Sequence, residues 1–349
     1  MLLTGSRERL RALPKAELHV HLDGSLRPDT MLELATEAGV HLPASGPAEL
    51  ARAMRASPSG DLGTYLEKFR ITLSVLQTPF SLQRAAYELA EDAHAENVRY
   101  LEIRYSPLLH REGGMRLDDA VEAPLKGLAA AREAFGIRSG LILCGMRDRA
   151  PSTTLKMAEL AVAWKERGVV ALDLAGAEAG NPARDHREAF GYALRHDLPT
   201  TVHAGEEEGA RSIAQALHDC HARRIGHGTR LREDPHLEGL VRESRIPLEV
   251  CLTSNVQTGV VGEVPRHPFR HYLDAGLAVT LNTDNRLISG IDLTHEYHLA
   301  HRELDLGWRE LKGVAFMGFE AAFLPRGEKL ALLKEIRAEM EELEDPGRE

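Results

Sequence analysis

Two hydrophobic rhythms alternate along the chain. Eight short runs rich in β-branched and aliphatic residues recur: "ELHVHL" (17–22), "RYLEIRY" (99–105), "IRSGLILC" (137–144), "VVALDLAG" (169–176), "PTTVHAG" (199–205), "RRIGHG" (223–228), "PLEVCLTS" (247–254) and "LAVTLNTD" (277–284). Between them lie Ala-, Leu- and Glu-rich stretches such as "SLQRAAYELAEDAHAEN" and "TLKMAELAVAWKERG", with apolar residues at helical spacing. Strands that alternate with helices pair in parallel. Eight such units predict an α/β fold, a closed (β/α)8 TIM barrel. An open doubly wound sheet is the competing architecture. It carries a Gly-rich phosphate turn after its first strand, and neither GxGxxG nor GxxxxGK[ST] occurs in this chain.

The rhythm is interrupted once. The crossover after the first strand, about 27–97, is too long for one helix. It falls on the face where barrels do chemistry, which predicts extra helices forming a lid, with an inert insertion as the plain alternative. Residues 327–349 read as a last amphipathic helix that frays into charge. With no repeat, linker or low-complexity tract, residues 1–349 read as a single domain.

The polar exceptions to the strand pattern all fall at the C-terminal ends. The first strand closes on His19-Val20-His21-Leu22-Asp23, the fifth on His203-Ala204-Gly205-Glu206, the sixth on Gly226-His227-Gly228 and the eighth on Thr283-Asp284-Asn285. A barrel brings those four ends to one face. Side chains alternate along a strand, so His19 and His21 point the same way, inward. A lone strand histidine is ordinarily a hydrogen-bonded structural residue. Paired imidazoles, a further histidine and a carboxylate on one face instead form a set of N and O ligands suited to Zn²⁺. Other histidines are discounted. His295, His298 and His301 in "THEYHLAH" read as a polar helix face, since HExH is not HExxH. "RHPFRHYL" reads as a loop entering a helix with His267 and His271 partly exposed. The fourth strand has no lysine to bridge two metals, so one metal is expected.

Composition changes the picture only by exclusion. A formal net charge of −10 over 349 residues disfavours a nucleic-acid or acidic-membrane partner. The three cysteines, Cys144, Cys220 and Cys251, form no CxxC and suit a reducing cytoplasm. "MLLTGSRERLRALPKAE" has charges where a signal peptide needs its apolar stretch, and no apolar run is long enough to span a bilayer. A soluble cytoplasmic protein is expected.

The assembled residues resemble the adenosine/adenine deaminase family of the amidohydrolase superfamily. The ordered series is "KAELHVHLDGS" (15–25), "YLEKF" (65–69), "EIRYSP" (102–107), "DLAGAE" (173–178), "TVHAGE" (201–206), "RIGHG" (224–228), "CLTSNVQTG" (251–259) and "NTD" (282–284). The HxE and PCxxC signature of cytidine-type deaminases is absent. The resemblance implies hydrolytic deamination at purine carbon 6, by water activated on one zinc ion held by His19, His21, His203 and Asp284. It implies that Asp284 also accepts the water's proton, that His227 orients the oxygen, and that Glu206 protonates ring nitrogen 1. The Glu206 role requires a raised pKa; stabilising a helix N-terminus is its plain alternative. His21, Asp23, Gly176, Asn285, Phe69 and Tyr65 would bind substrate. In that set Gly176 offers a backbone donor to nitrogen 3, Asp23 a clamp on the ribose 5′-hydroxyl, and Tyr65 and Phe69 an aromatic cover, or else ordinary core packing. Asn285 departs from the second aspartate of many members, which contacts nitrogen 7; an Asn amide can donate to that acceptor.

Adenosine and 2′-deoxyadenosine are the expected substrates of this purine-nucleoside enzyme. Adenine, or a modified adenosine such as aminodeoxyfutalosine, is the alternative, and a catalytically silent nucleoside-binding protein is a third reading. Oligomeric state is not legible.

Overall fold

The computed structural model describes residues 6–57 and 62–343. Residues 58–61 of the 27–97 insertion and the charged end of the 327–349 tail lie outside the described residues, as does the start of the N-terminal segment. Eight strands occupy the expected runs: β1 (Lys15–His21), β2 (Val98–Tyr105), β3 (Arg138–Met146), β4 (Val169–Ala175), β5 (Thr201–Ala204), β6 (Arg224–His227), β7 (Leu248–Val250) and β8 (Val279–Leu281). All pair in parallel, in the orders β1-β2-β3-β4 and β5-β6-β7-β8. Parallel bridges Leu172–Thr200 and Val20–Asp284 join the halves at both seams. The strands therefore follow one another around a ring, with the intervening helices outside it.

Alternation within the strands assigns the two faces. Leu18, Val20, Leu101 and Ile103 are buried in the apolar core. Their neighbours Glu17, His19, Glu102 and Arg104 are buried as well. The latter pair across the ring: Arg104 of β2 reaches Asp173 of β4 and Glu249 of β7, and Arg224 of β6 reaches Glu102 of β2. Partners on non-adjacent strands can meet only through the interior. The barrel thus has an apolar outer layer under its helices and an ionised inner layer beneath the strand ends.

The insertion after β1 holds helices Pro28–Ala38, Pro47–Met54 and Leu62–Val75, then the outer helix Pro79–His94. Thr78 caps the last through a reciprocal bond with Ser81. The tail forms the helix Arg326–Glu342, burying Leu332, Ile336 and Met340 at four-residue spacing.

Two expectations need correction. The seventh run is extended only to Val250; Leu252–Gln257 is helical. Glu296 accepts from the Thr253 amide and hydroxyl at the start of that helix, satisfying donors that a strand would have presented elsewhere. His267 is buried rather than partly exposed, because it is hydrogen-bonded on both ring nitrogens; His271 is exposed. Among the described residues no helix is long and apolar enough to cross a membrane.

Candidate metal-dependent active site

His19, His21, His203 and Asp284 converge, with one potential ligand atom from each within 4.8 Å of all the others. His21 Nε2 lies 3.2 Å from His203 Nε2 and 3.3 Å from Asp284 Oδ1. His19 Nε2 is 3.5 Å from the same oxygen, is buried, and has no hydrogen-bond partner among the described residues. A buried imidazole nitrogen with no partner is costly unless its lone pair is used. That lone pair, three imidazoles and a carboxylate fit one Zn²⁺ with a position left for a further oxygen.

The outer nitrogens explain the orientation. His19 Nδ1 donates to Glu249 Oε2 at 2.8 Å, and His203 Nδ1 meets Asp173 at 3.1 Å. Arg104 bridges those two carboxylates at 2.9 and 2.8 Å. Each histidine is thereby held as the tautomer with a free inner nitrogen, the arrangement that supports metal ligation. Electrostatics agree for His19 and His21, whereas burial would lower His203 but Asp173 raises it. Burial, reinforced by Arg104 and His203, pulls His19 down to about 4. Burial also lowers His21 well below the usual range. Burial would raise Asp284, but the adjacent imidazoles of His19, His21 and His227 hold it below the ordinary carboxylate range. Near neutral pH the imidazoles of His19 and His21 are uncharged and Asp284 is ionised.

Backbone geometry aims the remaining groups. His227 and Asp284 adopt positive φ, 62° and 60°, which side chains other than glycine seldom do. Gly226 must lack a side chain: a Cβ there would come within 3.0 Å of His19 Cε1 and 3.1 Å of His203 Cα. The short helix Leu252–Gln257 supplies support from the other side. Ser254 donates to Asp284 Oδ2 at 2.6 Å, Asn255 bonds His227 Nδ1 at 3.1 Å, and Thr258, just past the helix, donates to Glu206 Oε1 at 3.3 Å.

Glu206 is buried, with Oε2 3.5 Å from His227 Nε2. Burial raises its pKa, against the lowering effect of His227. It precedes the helix Ala210–His218, so it is not part of that helix's first turn. Its loop is held by Glu178, whose carboxylate accepts from the amides of Gly205, Glu206, Glu207 and Glu208.

A cavity of about 210 Å³ adjoins the cluster, lined among others by His21, Asp23, Phe69, Ser106 and Gly176. Phe69 sits 6.2 Å from His21, ring to ring. Gly176 has φ +96°, leaving its backbone accessible where an L side chain would be strained. Asp23 Oδ1, Ser106 Oγ and His110 Nε2 are buried without partners among the described residues. Tyr65 is turned aside: it packs with Ala56 and Ile288, and its hydroxyl accepts from Asn285 Nδ2 at 2.9 Å. Asn285 Oδ1 has no partner.

The fold thus gathers all the expected site residues at one end of the barrel, with Tyr65 behind Asn285. Reading the strand ends missed the supporting set: Arg104, Asp173, Glu178, Glu249, Ser254 and Asn255. Charged residues inside otherwise apolar strands were the available signal. Among the described residues His295, His298 and His301 belong to no metal-binding group.

Comparison with known proteins agrees with this geometry. Residues 14–339 match the family model described as adenosine deaminase. Adenosine deaminase of Mycobacterium avium is 42% identical over 351 residues, covering 94% of this chain and 95% of that protein. Solved structures of the same fold include adenine deaminase from Arthrobacter aurescens (TM-score 0.87, 29% identity, 94% and 99% of the two chains). A Burkholderia ambifaria amidohydrolase with bound Zn is also similar (0.90, 27%, 98% and 95%). So is Arabidopsis ADAL complexed with IMP (0.86, 29%, 97% and 100%).

Proposed function

The chain belongs to the adenosine deaminase family, a family of hydrolases, and from that premise we propose that it deaminates adenosine and 2′-deoxyadenosine, giving inosine, 2′-deoxyinosine and ammonia. The observation that carries the reading is Glu206. It is a buried carboxyl with a raised pKa, beside His227 and the ligand cluster, whose His21 lines the same cavity as Asp23.

His19, His21, His203 and Asp284 would hold the zinc. When bound, zinc acts as a Lewis acid that lowers the pKa of water from about 15.7 toward about 7. The residues then divide the work. Glu206, whose pKa burial raises, donates its proton to ring nitrogen 1, which draws electrons from carbon 6. The Gly176 amide donates to nitrogen 3 and fixes the ring's depth. Phe69 covers the base. Water adds to carbon 6, with its proton passing to Asp284 Oδ and His227 Nε2 facing the added oxygen. The Asp284 proton then moves to the exocyclic nitrogen, the carbon–nitrogen bond breaks and ammonia leaves, while the proton on the added oxygen returns to Glu206 as carbon 6 becomes the carbonyl of the N1-protonated product. Asn285 donates to nitrogen 7 after its amide turns over. Tyr65 then donates to Oδ1 instead of accepting from Nδ2, so no hydrogen bond is lost.

Asp23 selects the nucleoside over the free base. Its unpartnered oxygen needs a donor, and a ribose hydroxyl supplies one where adenine has none. The test is ammonia release from zinc-loaded protein given adenosine, adenine or AMP in parallel. Release from adenosine at a much higher kcat/KM than from the other two is expected. Preference for adenine or AMP would overturn the substrate assignment.

A further inference from the structure

The buried His267 takes no part in the chemistry above, yet it is linked to it by a chain of hydrogen bonds whose direction is determined. The chain starts at the backbone N–H of Phe269, which can only donate. It donates to His267 Nδ1 at 3.0 Å. His267 Nδ1 therefore carries the lone pair, and the proton sits on Nε2. Nε2 lies 3.1 Å from Asn255 Oδ1. That donor requires the oxygen of the amide to face His267, leaving Asn255 Nδ2 to donate to His227 Nδ1 at 3.1 Å. His227 Nδ1 is thus an acceptor. A neutral His227 must then carry its proton on Nε2, the atom 3.5 Å from Glu206 Oε2.

Reversing any link would set two donors or two acceptors face to face. His227, Asn255 and His267 are 1%, 0% and 3% exposed, so water cannot repair such a mismatch. Burial also keeps His267 neutral, with its pKa lowered to about 3, so it cannot carry protons on both nitrogens.

We infer that His267 and Asn255 are positioning residues that set the tautomer of His227, holding its proton on Nε2 toward the reacting atoms. The catalytic consequence rests on the proposed function, in which His227 faces the oxygen added at carbon 6. In that tautomer neutral His227 is a hydrogen-bond donor to the oxygen and not the base, so the water's proton goes to Asp284. The relay is the counterpart of a triad aspartate, which selects the opposite tautomer of its histidine.

The experiment is long-range ¹H–¹⁵N NMR of zinc-loaded protein carrying ¹⁵N-histidine, with His227 assigned from the spectrum of His227→Gln. The wild-type spectrum should show His227 protonated on Nε2 and bare on Nδ1, and His267 the same. Asn255→Asp replaces the amide donor with an acceptor and keeps the shape. It should move the His227 proton to Nδ1 and lower kcat about 100-fold or more, with KM and zinc content near wild type. A wild-type His227 protonated on Nδ1 would overturn the inference, even if the variant did not fold. So would a switched tautomer in Asn255→Asp with undiminished kcat. Failure of the wild type to act on adenosine, with the expected His227 spectrum, would instead strike the substrate reading and leave the tautomer assignment standing.

Discussion

The two ends of the cavity are built on different principles. At the metal end the outer nitrogens and the carboxylates have protein partners, while His19 Nε2 and Arg104 Nε lack one among the described residues. His19 leans on Glu249, His203 on Asp173, and Arg104 ties the two carboxylates together. At the far end Asp23 Oδ1, Ser106 Oγ and His110 Nε2 are buried with none among the described residues. His110 is itself fixed, through Nδ1 to the Leu76 carbonyl, yet its Nε2 stands 3.7 Å from Asp23 Oδ2 without bonding it. A buried ion network holds its geometry before any ligand arrives; a set of unpartnered acceptors gains its hydrogen bonds only when a hydroxyl-bearing ligand supplies donors. The difference separates the tasks. Under the proposed function, chemistry would be preorganised at one end and substrate identity read at the other.

Substitutions can break this division, and the largest effect belongs to the chemical end. Glu206→Gln should retain zinc and lower kcat about 10²–10⁴-fold, checked by steady-state ammonia release together with metal analysis. The accompanying pH dependence has a definite sign. Because burial raises the Glu206 pKa, the required proton is retained above the usual carboxylate range and is lost as pH rises through the raised value. The basic limb of kcat/KM that Glu206 causes should therefore disappear in Glu206→Gln; an unchanged limb would assign it to another group.

Next in size come two substitutions that should act in opposite ways. Asp23→Ala should cost roughly 10–100-fold in kcat/KM for adenosine, by removing the acceptor for a ribose hydroxyl, while leaving the slower turnover of adenine unchanged. Asp173→Asn should weaken zinc about 10–100-fold, measured by competition with a chelator, without altering the ratio of adenosine to adenine turnover. A change of substrate ratio in Asp173→Asn would mean that the two ends are coupled after all. The smallest effect is expected from Tyr65→Phe. It removes the neutral hydrogen bonds to Asn285 and Ser289, and KM for adenosine should rise by about fivefold or less.

The difference between the ends also governs how much could be read in advance. The convergence of His19, His21, His203, Asp284 and Glu206 was legible because each stands at a strand's C-terminal end, where the period of the pattern and the barrel's geometry say what faces what. The support beneath them was not. His19 and Glu249 are 230 residues apart, and Arg104 and Glu249 are 145. Within its own strand each is only a charged residue in an apolar run. His267 was misjudged for the same reason: next to Pro268 it looks like loop surface, and only packing against Asn255 buries it.

Order along the chain therefore determined the alternation of strand and helix, the ring of eight, and which side chains crowd its catalytic face. Those follow from local periodicity and backbone stereochemistry. The tertiary structure decided which nitrogen of each histidine is free, that Asp284 is held below and Glu206 pushed above the ordinary carboxylate range, and that the seventh run turns helical to brace Asp284 and His227. Each depends on partners brought within hydrogen-bond distance in a dry interior. There the energy of a polar group is set by its neighbours in space, not by its neighbours in sequence.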